Sequence, residues 1–345
     1  MMQIEEKYMA RCIALARKGA GSTSPNPMVG AVIVHNGRII GEGYHRRCGE
    51  AHAEVNAIRA VKNESLLPES TIYVSLEPCS HFGKTPPCAD LIIQKRIPRV
   101  VVGCLDPFPE VSGRGVRRLE EAGVEVVTGV LESETKELNR FFFTYQTTHR
   151  PYVILKWAQS RDGFIDGARN DDRKVPVVLS SPETMRMVHK LRAEMDAIMV
   201  GTNTVLNDNP SLTVRHWAGK NPLRVIVDRT LRIPSHFHVL DGSVPTLVFT
   251  EKTVESRPGV DYITADFSSN LLQQVLDSLS ERKIQSLLVE GGTELLNSFI
   301  KAGLWNEIRV ETAHVYLKDG IPAPAIDKLA YSTILRNGSK IDLYR

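Results

Sequence analysis

Two short stretches carry residue types suited to metal chemistry. "CGEAHAEVNAIRA" holds His52 and, two positions on, Glu54; "SLEPCSHFGKTPPCAD" holds Cys79 and Cys88. Zinc takes imidazole and thiolate readily, and a catalytic zinc uses three protein ligands while leaving a fourth position to water. His52, Cys79 and Cys88 supply such a set. Glu54 is near enough to reach the metal's water without being a ligand. That is the general acid/base arrangement of zinc deaminases, in which the metal acidifies the water and the carboxylate passes protons to the departing amine. Singly, each signal is weak: His-x-Glu ordinarily opens a helix, and two cysteines at this spacing are ordinarily buried thiols. Together, in the order His-Ala-Glu, Pro-Cys, Cys at strand and helix ends, they favour a catalytic zinc. A structural zinc would ask for a fourth protein ligand, for which His81 is the candidate. Cys88 precedes the helical stretch "CADLIIQKR", whose N-terminus favours a thiolate there. Cys12, Cys48 and Cys104 read as packed small residues.

The elements that must position these groups follow from periodicity. To about residue 145, helical and strand-like stretches alternate, which predicts an α/β sheet of about five strands covered on both faces. A helix comes first. "MVGAVIVHNGRIIGEGYH" reads as a hairpin, with Asn36-Gly37 suited to a type I′ turn. The next helix is opened by His52-Ala53-Glu54, "TIYVSLEPC" is a β-branched run ending at Cys79, and "RVVVGCLD" and "GVEVVTGV" are further strands. After the aromatic "NRFFFTYQ" and the turn-prone His149-Arg150-Pro151 the pattern restarts, dividing the chain into domains 1–147 and 148–345. Strands are expected at Tyr152 to Trp157, Ala197 to Gly201, Leu223 to Val227, Thr246 to Thr250, Ser286 to Glu290 and Glu307 to Glu311. Among the intervening helices "LSSPETMRMVHKLRAE" is clearest, with Ser180 and Glu183 as a capping box and Pro182 in the first turn.

Bulk properties agree with two domains, since 345 residues exceed a typical single core. A formal charge of +3 gives no electrostatic case for a nucleic-acid or membrane surface, so a small-molecule partner is expected. No stretch has the pattern of a signal peptide or the length of a membrane span. Five cysteines, an odd and scattered number, argue for a reducing compartment, the cytoplasm.

"SPNPMVGAVIV", "GYHRRCGEAHAEVNAI", "SLEPCSHFGKTPPCADLII", "DPFPEVSGRGVRRLEEAGVEV", "LRAEMDAIMVGTNTVLNDNPSLTVR" and "LLVEGGTELLNSF" resemble the bacterial bifunctional deaminase/reductase family of riboflavin biosynthesis, over about residues 5 to 311. The wide spacing in "PCSHFGKTPPC" differs from the Cys-x-x-Cys pair usual in cytidine and tRNA adenosine deaminases. The resemblance implies a cytidine-deaminase-like α/β/α domain that removes the 2-amino group of 2,5-diamino-6-ribosylamino-4(3H)-pyrimidinone 5′-phosphate. It also implies a dihydrofolate-reductase-like α/β domain that reduces the product's ribosyl chain with NADPH to the ribityl chain. In the first domain it makes His52, Cys79 and Cys88 zinc ligands, Glu54 the proton shuttle, and Asn26, His45 and Lys84 substrate contacts. In the second it assigns Ala158, Thr204, Asp208, Gly292, Thr293, Glu294, Leu295 and Leu296 to NADPH, and Arg192, Leu212, Arg215 and Glu290 to the substrate. Lys156, in "KWAQSRDG", is a further candidate for holding the sugar or donating a proton. A homo-oligomer, a dimer through the reductase halves, is implied as well.

Residues alone say less about the second half. The full Gly-x-Gly-x-x-Gly is absent, and Gly291-Gly292 before a helix offers only backbone N–H groups for a phosphate. The sequence also departs from the family: Pro176 and Val178 align where a serine and a tryptophan are usual, "DPNP" is "DPFP" with Phe108, and the glycine-rich tail is missing. These departures keep open a deaminase whose second half is a non-catalytic binding or oligomerisation module.

Overall fold

The computed structural model describes residues 4–80, 86–108, 112–168, 176–336 and 338–345. The chain divides into two compact units, Met1–His149 and Arg150–Arg345.

The first unit runs α1 (Ile4–Ala16), β1 (Gly30–His35), β2 (Arg38–Tyr44), α2 (Ala53–Arg59), β3 (Thr71–Leu76), α3 (Cys88–Gln94), β4 (Arg99–Cys104), α4 (Arg114–Glu121), β5 (Glu125–Thr128), α5 (Glu132–Leu138) and α6 (Arg140–Thr148). Its sheet has the order β2-β1-β3-β4-β5, antiparallel at the hairpin and at β1/β3, and parallel from β3 to β5. Both central residues of the Asn36-Gly37 turn have positive φ (47° and 75°), as a type I′ turn requires. Apolar residues fill both faces because successive strand side chains point opposite ways. Ala31, Ile33, Ile72, Val74, Val100 and Val102 pack with α2, α3 and α4. Val32, Val34, Tyr73 and Val101 pack with Tyr8, Met9, Cys12 and Ile13 of α1 and Leu138 of α5. The result is a three-layer α/β/α unit. Cys12 and Cys104 are buried in it, but Cys48 is exposed, contrary to its reading as a packed residue. It lies in an Arg47–Glu50 turn outside the sheet, where Gly49 takes φ 85° and no apolar face is on offer.

The second unit runs β6 (Tyr152–Gln159), β7 (Phe164–Gly167), α7 (Pro182–Glu194), β8 (Ala197–Gly201), α8 (Thr202–Asp208), β9 (Leu223–Val227), β10 (Thr246–Thr250), β11 (Val260–Thr264), α9 (Leu271–Glu281), β12 (Ser286–Glu290), α10 (Thr293–Ala302), β13 (Glu307–Thr312), β14 (Gly320–Pro322), β15 (Ser332–Arg336) and β16 (Ser339–Tyr344). Nine strands make one sheet, β11-β10-β9-β8-β12-β6-β13-β16-β15, parallel except for the last two pairings. β7 and β14 form a separate antiparallel ribbon. One face of the large sheet is apolar, with Val153, Leu155, Trp157, Met199, Val225, Leu287, Val289 and Val310 packed on Val275, Leu276 and Leu279 of α9 and Leu296 and Phe299 of α10.

The start of α7 corrects one expectation. Pro182 is the first helical residue, so the cap falls on Ser181, whose Oγ accepts the Thr184 N–H at 3.2 Å. Ser180 instead donates its hydroxyl to Glu311 Oε2 at 2.7 Å, and the expected Ser180–Glu183 box does not form.

Candidate functional site

In the first unit, β2 sets the position of α2. Gly41 and Gly43 let the helix backbone lie directly on the strand: a Cβ on Gly43 would sit 2.4 Å from the Ala57 nitrogen, and one on Gly41 2.4 Å from the Ala57 carbonyl oxygen. His52 is the N-cap of that helix and Glu54 lies in its first turn. Cys79 follows β3, and Cys88 is the first residue of α3. The His52 Nδ1 atom lies 3.6 Å from Cys79 Sγ and 3.4 Å from Cys88 Sγ, and all three donor atoms fall within 4.8 Å of one another. Zinc bonds of roughly 2.1 Å to nitrogen and 2.3 Å to sulfur, at tetrahedral angles, give an N···S edge of about 3.6 Å, so the donor set fits zinc. It is the one cluster of this kind among the described residues. His81 and Lys84 lie outside the described residues.

The electrostatics follow from burial and shared hydrogen bonds. Glu54 is 3% exposed, and burial first, then the Cys79 charge, pushes its carboxyl up to about 7. His52 is raised from its ordinary value, chiefly by its bond with Cys79. Cys79 is lowered to about 4, most by the Cys88 side chain and further by His52 and the Cys88 backbone N–H, which donates to its sulfur at 3.3 Å. Cys88 is raised, because it donates to Cys79. The leading N–H of α3 thus points at the sulfur of Cys79.

His45 is 2% exposed and its ring stands edge-on to His52, centroids 5.4 Å apart. Its Nδ1 lies 3.2 Å from the Ala51 carbonyl and its Nε2 3.2 Å from Asn26 Nδ2. With Nδ1–H donating to the carbonyl, Nε2 accepts from the amide, and burial, the largest influence, holds the ring below its ordinary pKa. Asn26, His45, His52, Glu54, Cys79 and Cys88 thus occupy one locality.

In the second unit, Lys156 on β6 stands in register with Glu290 on β12 and Arg309 on β13. Arg192, on α7, pairs with Glu290 at 2.6 Å with both side chains nearly buried, and donates to the Thr213 carbonyl at 3.3 Å. Glu290 Oε1 has no hydrogen-bond partner among the described residues. Leu212 is 3% exposed with φ 53°, and Arg215, in an irregular segment, donates its backbone N–H to His189 Nδ1 at 2.9 Å. Thr204 Oγ1 accepts the Gly292 N–H at 2.9 Å; Gly291 takes φ 120°, and a Cβ there would meet that hydroxyl at 2.9 Å.

A cavity of about 780 Å³ opens beside this glycine pair, at the carboxyl ends of β8 and β9. Thr204, Gly292, Glu294 and Leu295 line it, together with Val227, Leu271, Leu304, Phe267, Asn270 and Arg232. Of the other expected cofactor contacts, Leu296 turns into the apolar core and is fully buried, while Ala158, Asp208 and Thr293 lie outside the lining. Pro176 and Val178 are exposed, Val178 at 76%.

Sequence reasoning passed over His189, one helical turn before Arg192 in "VHKLR". That i, i+3 spacing places both on one face of α7 and is the signal that was available. It also passed over Arg232, Phe267 and Asn270, which carry no local pattern.

Residues 2–104 match the family described as "Cytidine and deoxycytidylate deaminase zinc-binding region", and residues 151–317 match "RibD C-terminal domain". The chain is 43% identical to the riboflavin biosynthesis protein RibD of Aquifex aeolicus over 92% of its own length and 89% of the relative's. With the RibD of Escherichia coli the identity is 36%, over 94% of this chain and 93% of the relative. A solved deaminase/reductase from Thermotoga maritima, diaminohydroxyphosphoribosylaminopyrimidine deaminase/5-amino-6-(5-phosphoribosylamino)uracil reductase, superposes with a TM-score of 0.89 at 38% identity. It covers 99% of this chain and 98% of that one.

Proposed function

This chain belongs to the RibD family of riboflavin biosynthesis proteins, and from that premise we propose which of its residues carry the two activities. It is a bifunctional enzyme. The deaminase removes ammonia from the diaminopyrimidine ribose phosphate, and the reductase converts the ribosyl chain of the product to a ribityl chain with NADPH. The match of the second half to the RibD C-terminal family favours this over a deaminase carrying an inert module. No helix among the described residues is long and apolar enough to cross a membrane.

We assign the deaminase to residues 1–147, with His52, Cys79 and Cys88 as zinc ligands. Zinc held on two thiolates and one imidazole supplies an acidified water and leaves room for it. Glu54 takes a proton on its carboxylate and returns it to the departing amine. Asn26 and His45 line the substrate side, where the neutral His45 ring holds the Asn26 amide in one orientation. The observation that carries this reading is the convergence of the three donor atoms beside a buried carboxylate.

We assign the reductase to residues 148–345. Glu290 Oε1, buried and without a hydrogen-bond partner among the described residues, is an acceptor for a sugar hydroxyl, and Lys156 beside it balances the charge. Arg192 orients Glu290, and Arg215 supplies a guanidinium for the substrate phosphate. The cavity suits a dinucleotide: apolar walls receive the base, Arg232 is the cation among its lining residues, and Thr204 and Gly292 meet at its edge. The chain acts as a homodimer in this reading, which light scattering tests.

One experiment separates the assignments. Glu54→Gln is expected to keep one zinc per chain and lose deamination by about 10²- to 10⁴-fold, the usual worth of a general acid/base. Its oxidation of NADPH with the deaminated intermediate stays at the wild-type rate. Unaltered deamination removes Glu54 from the reaction, and absence of NADPH oxidation in wild type withdraws the reductase assignment.

A further inference from the structure

Glu77 lies two residues before Cys79 and is 6% exposed, yet has no ion pair among the described residues. Its carboxylate is surrounded by backbone donors. Oε1 accepts from the N–H groups of Gly115 at 2.8 Å and Val116 at 3.2 Å; Oε2 accepts from Gly113 at 2.9 Å and Asp106 at 3.1 Å. Burying an ionised carboxylate is costly unless its lone pairs are met, and here four N–H groups, three of them at the start of α4, meet them. An apolar residue of the same size would leave those donors unpartnered. The same helix start is pressed onto the next residue: a Cβ on Gly115 would lie 2.0 Å from the Pro78 carbonyl oxygen.

Glu77-Pro78 is therefore pinned by α4, while its own N–H donates to the Cys104 carbonyl at 3.0 Å. Cys79 is then held from its other side by α3, through Ala89 N–H to its carbonyl at 3.2 Å and Cys88 N–H to its sulfur at 3.3 Å. We propose that Glu77 is a positioning residue for the zinc site, fixing the Cys79 turn by fastening α4 to it. This rests on the reading of His52, Cys79 and Cys88 as zinc ligands. A ligand's geometry depends on the shell that supports it, and this shell is built from backbone amides rather than from side chains touching the ligand.

The test uses the full-length zinc-loaded protein and follows zinc release to a chromogenic chelator. Glu77→Gln puts an amide NH₂ against N–H donors and is expected to release zinc at least about tenfold faster, the lower end of the effect of losing an outer-shell partner. Glu77→Asp, which keeps the charge, falls between it and wild type. Val34→Ala, a core truncation on the opposite face of the same sheet, releases zinc at the wild-type rate, which separates positioning from general loss of stability. Cobalt-substituted Glu77→Gln shows a shifted thiolate-to-cobalt band.

Release from Glu77→Gln at the wild-type rate overturns the proposal. Should that variant fail to fold, hydrogen exchange on wild type decides. Coupling is reciprocal, so removing zinc must lower the protection of the Asp106, Gly113, Gly115 and Val116 amides, and unchanged protection overturns the proposal. A wild-type chain that binds no zinc overturns the parent reading, and this one with it.

Discussion

His189 is the side chain on which the second unit's acid response turns. It is fully buried, and its Nδ1 accepts the Arg215 N–H, which leaves the ring proton on Nε2. Burial first, then the charges of Arg192, His216 and Arg215, lower its pKa from 6.5 to about 4, with Glu290 opposing. The His216 ring stands edge-on at 4.7 Å. The folded state therefore favours the neutral ring, while the unfolded chain takes up a proton below about pH 6.5. The stability this contributes is complete above pH 6.5 and is lost as pH falls through 4. We expect the second unit's unfolding temperature to fall more steeply between pH 6.5 and 4 in wild type than in His189→Asn, whose Oδ1 can replace Nδ1 as the acceptor. Parallel curves would refute it. The His52, Cys79 and Cys88 cluster, with Glu54 beside it, was legible in the sequence because a metal site asks for particular atom types at particular strand and helix ends. Glu77 was not, because its partners are backbone N–H groups 29 to 39 positions away, which any residue type provides, and His189 showed only its helical spacing to Arg192, its backbone partner lying 26 positions on.

At the scale of elements, the start of α7 gives two adjacent serines different jobs. Ser181→Ala removes the cap acceptor for Thr184 N–H and is expected to cost the second unit about 1 kcal/mol in urea unfolding, without moving the first unit's transition. A neutral Ser181→Ala would hand the cap back to Ser180. Buried parallel strands such as Val100 to Val102 and Leu287 to Val289 were readable as unbroken apolar runs, and the Asn36-Gly37 hairpin as a turn that needs two positive φ angles. The β15/β16 pair was missed: three successive residues, Thr333, Ile334 and Leu335, are exposed or nearly so, and Leu335 at 80% carries no hydrophobic alternation. Its place at the sheet edge comes from pairing with β13, a tertiary contact that local pattern does not encode. The cap itself was misplaced by one residue because Ser180-Ser181 offers two equal candidates, and only the fixed φ of Pro182 chooses between them.

Across the whole molecule, the proposed assignment gives the two activities disjoint sets of residues. The proposed zinc ligands and Glu54 fall between residues 52 and 88, inside Met1–His149, and the reductase candidates fall between residues 156 and 296, inside Arg150–Arg345. A metal that binds the folded state stabilises the unit that holds it, and its removal takes that stabilisation away. Chelation should therefore act on one half of the chemistry. With zinc stripped and the deaminated intermediate supplied, we expect deamination of the diaminopyrimidine to fall to background, while NADPH is oxidised at the untreated rate. Added zinc should restore the first activity in proportion to the metal bound, reaching full rate at one ion per chain. If stripping zinc halted NADPH oxidation as well, the second site would depend on the metal or on the order it imposes, and the division of labour drawn from residue placement would have to be abandoned.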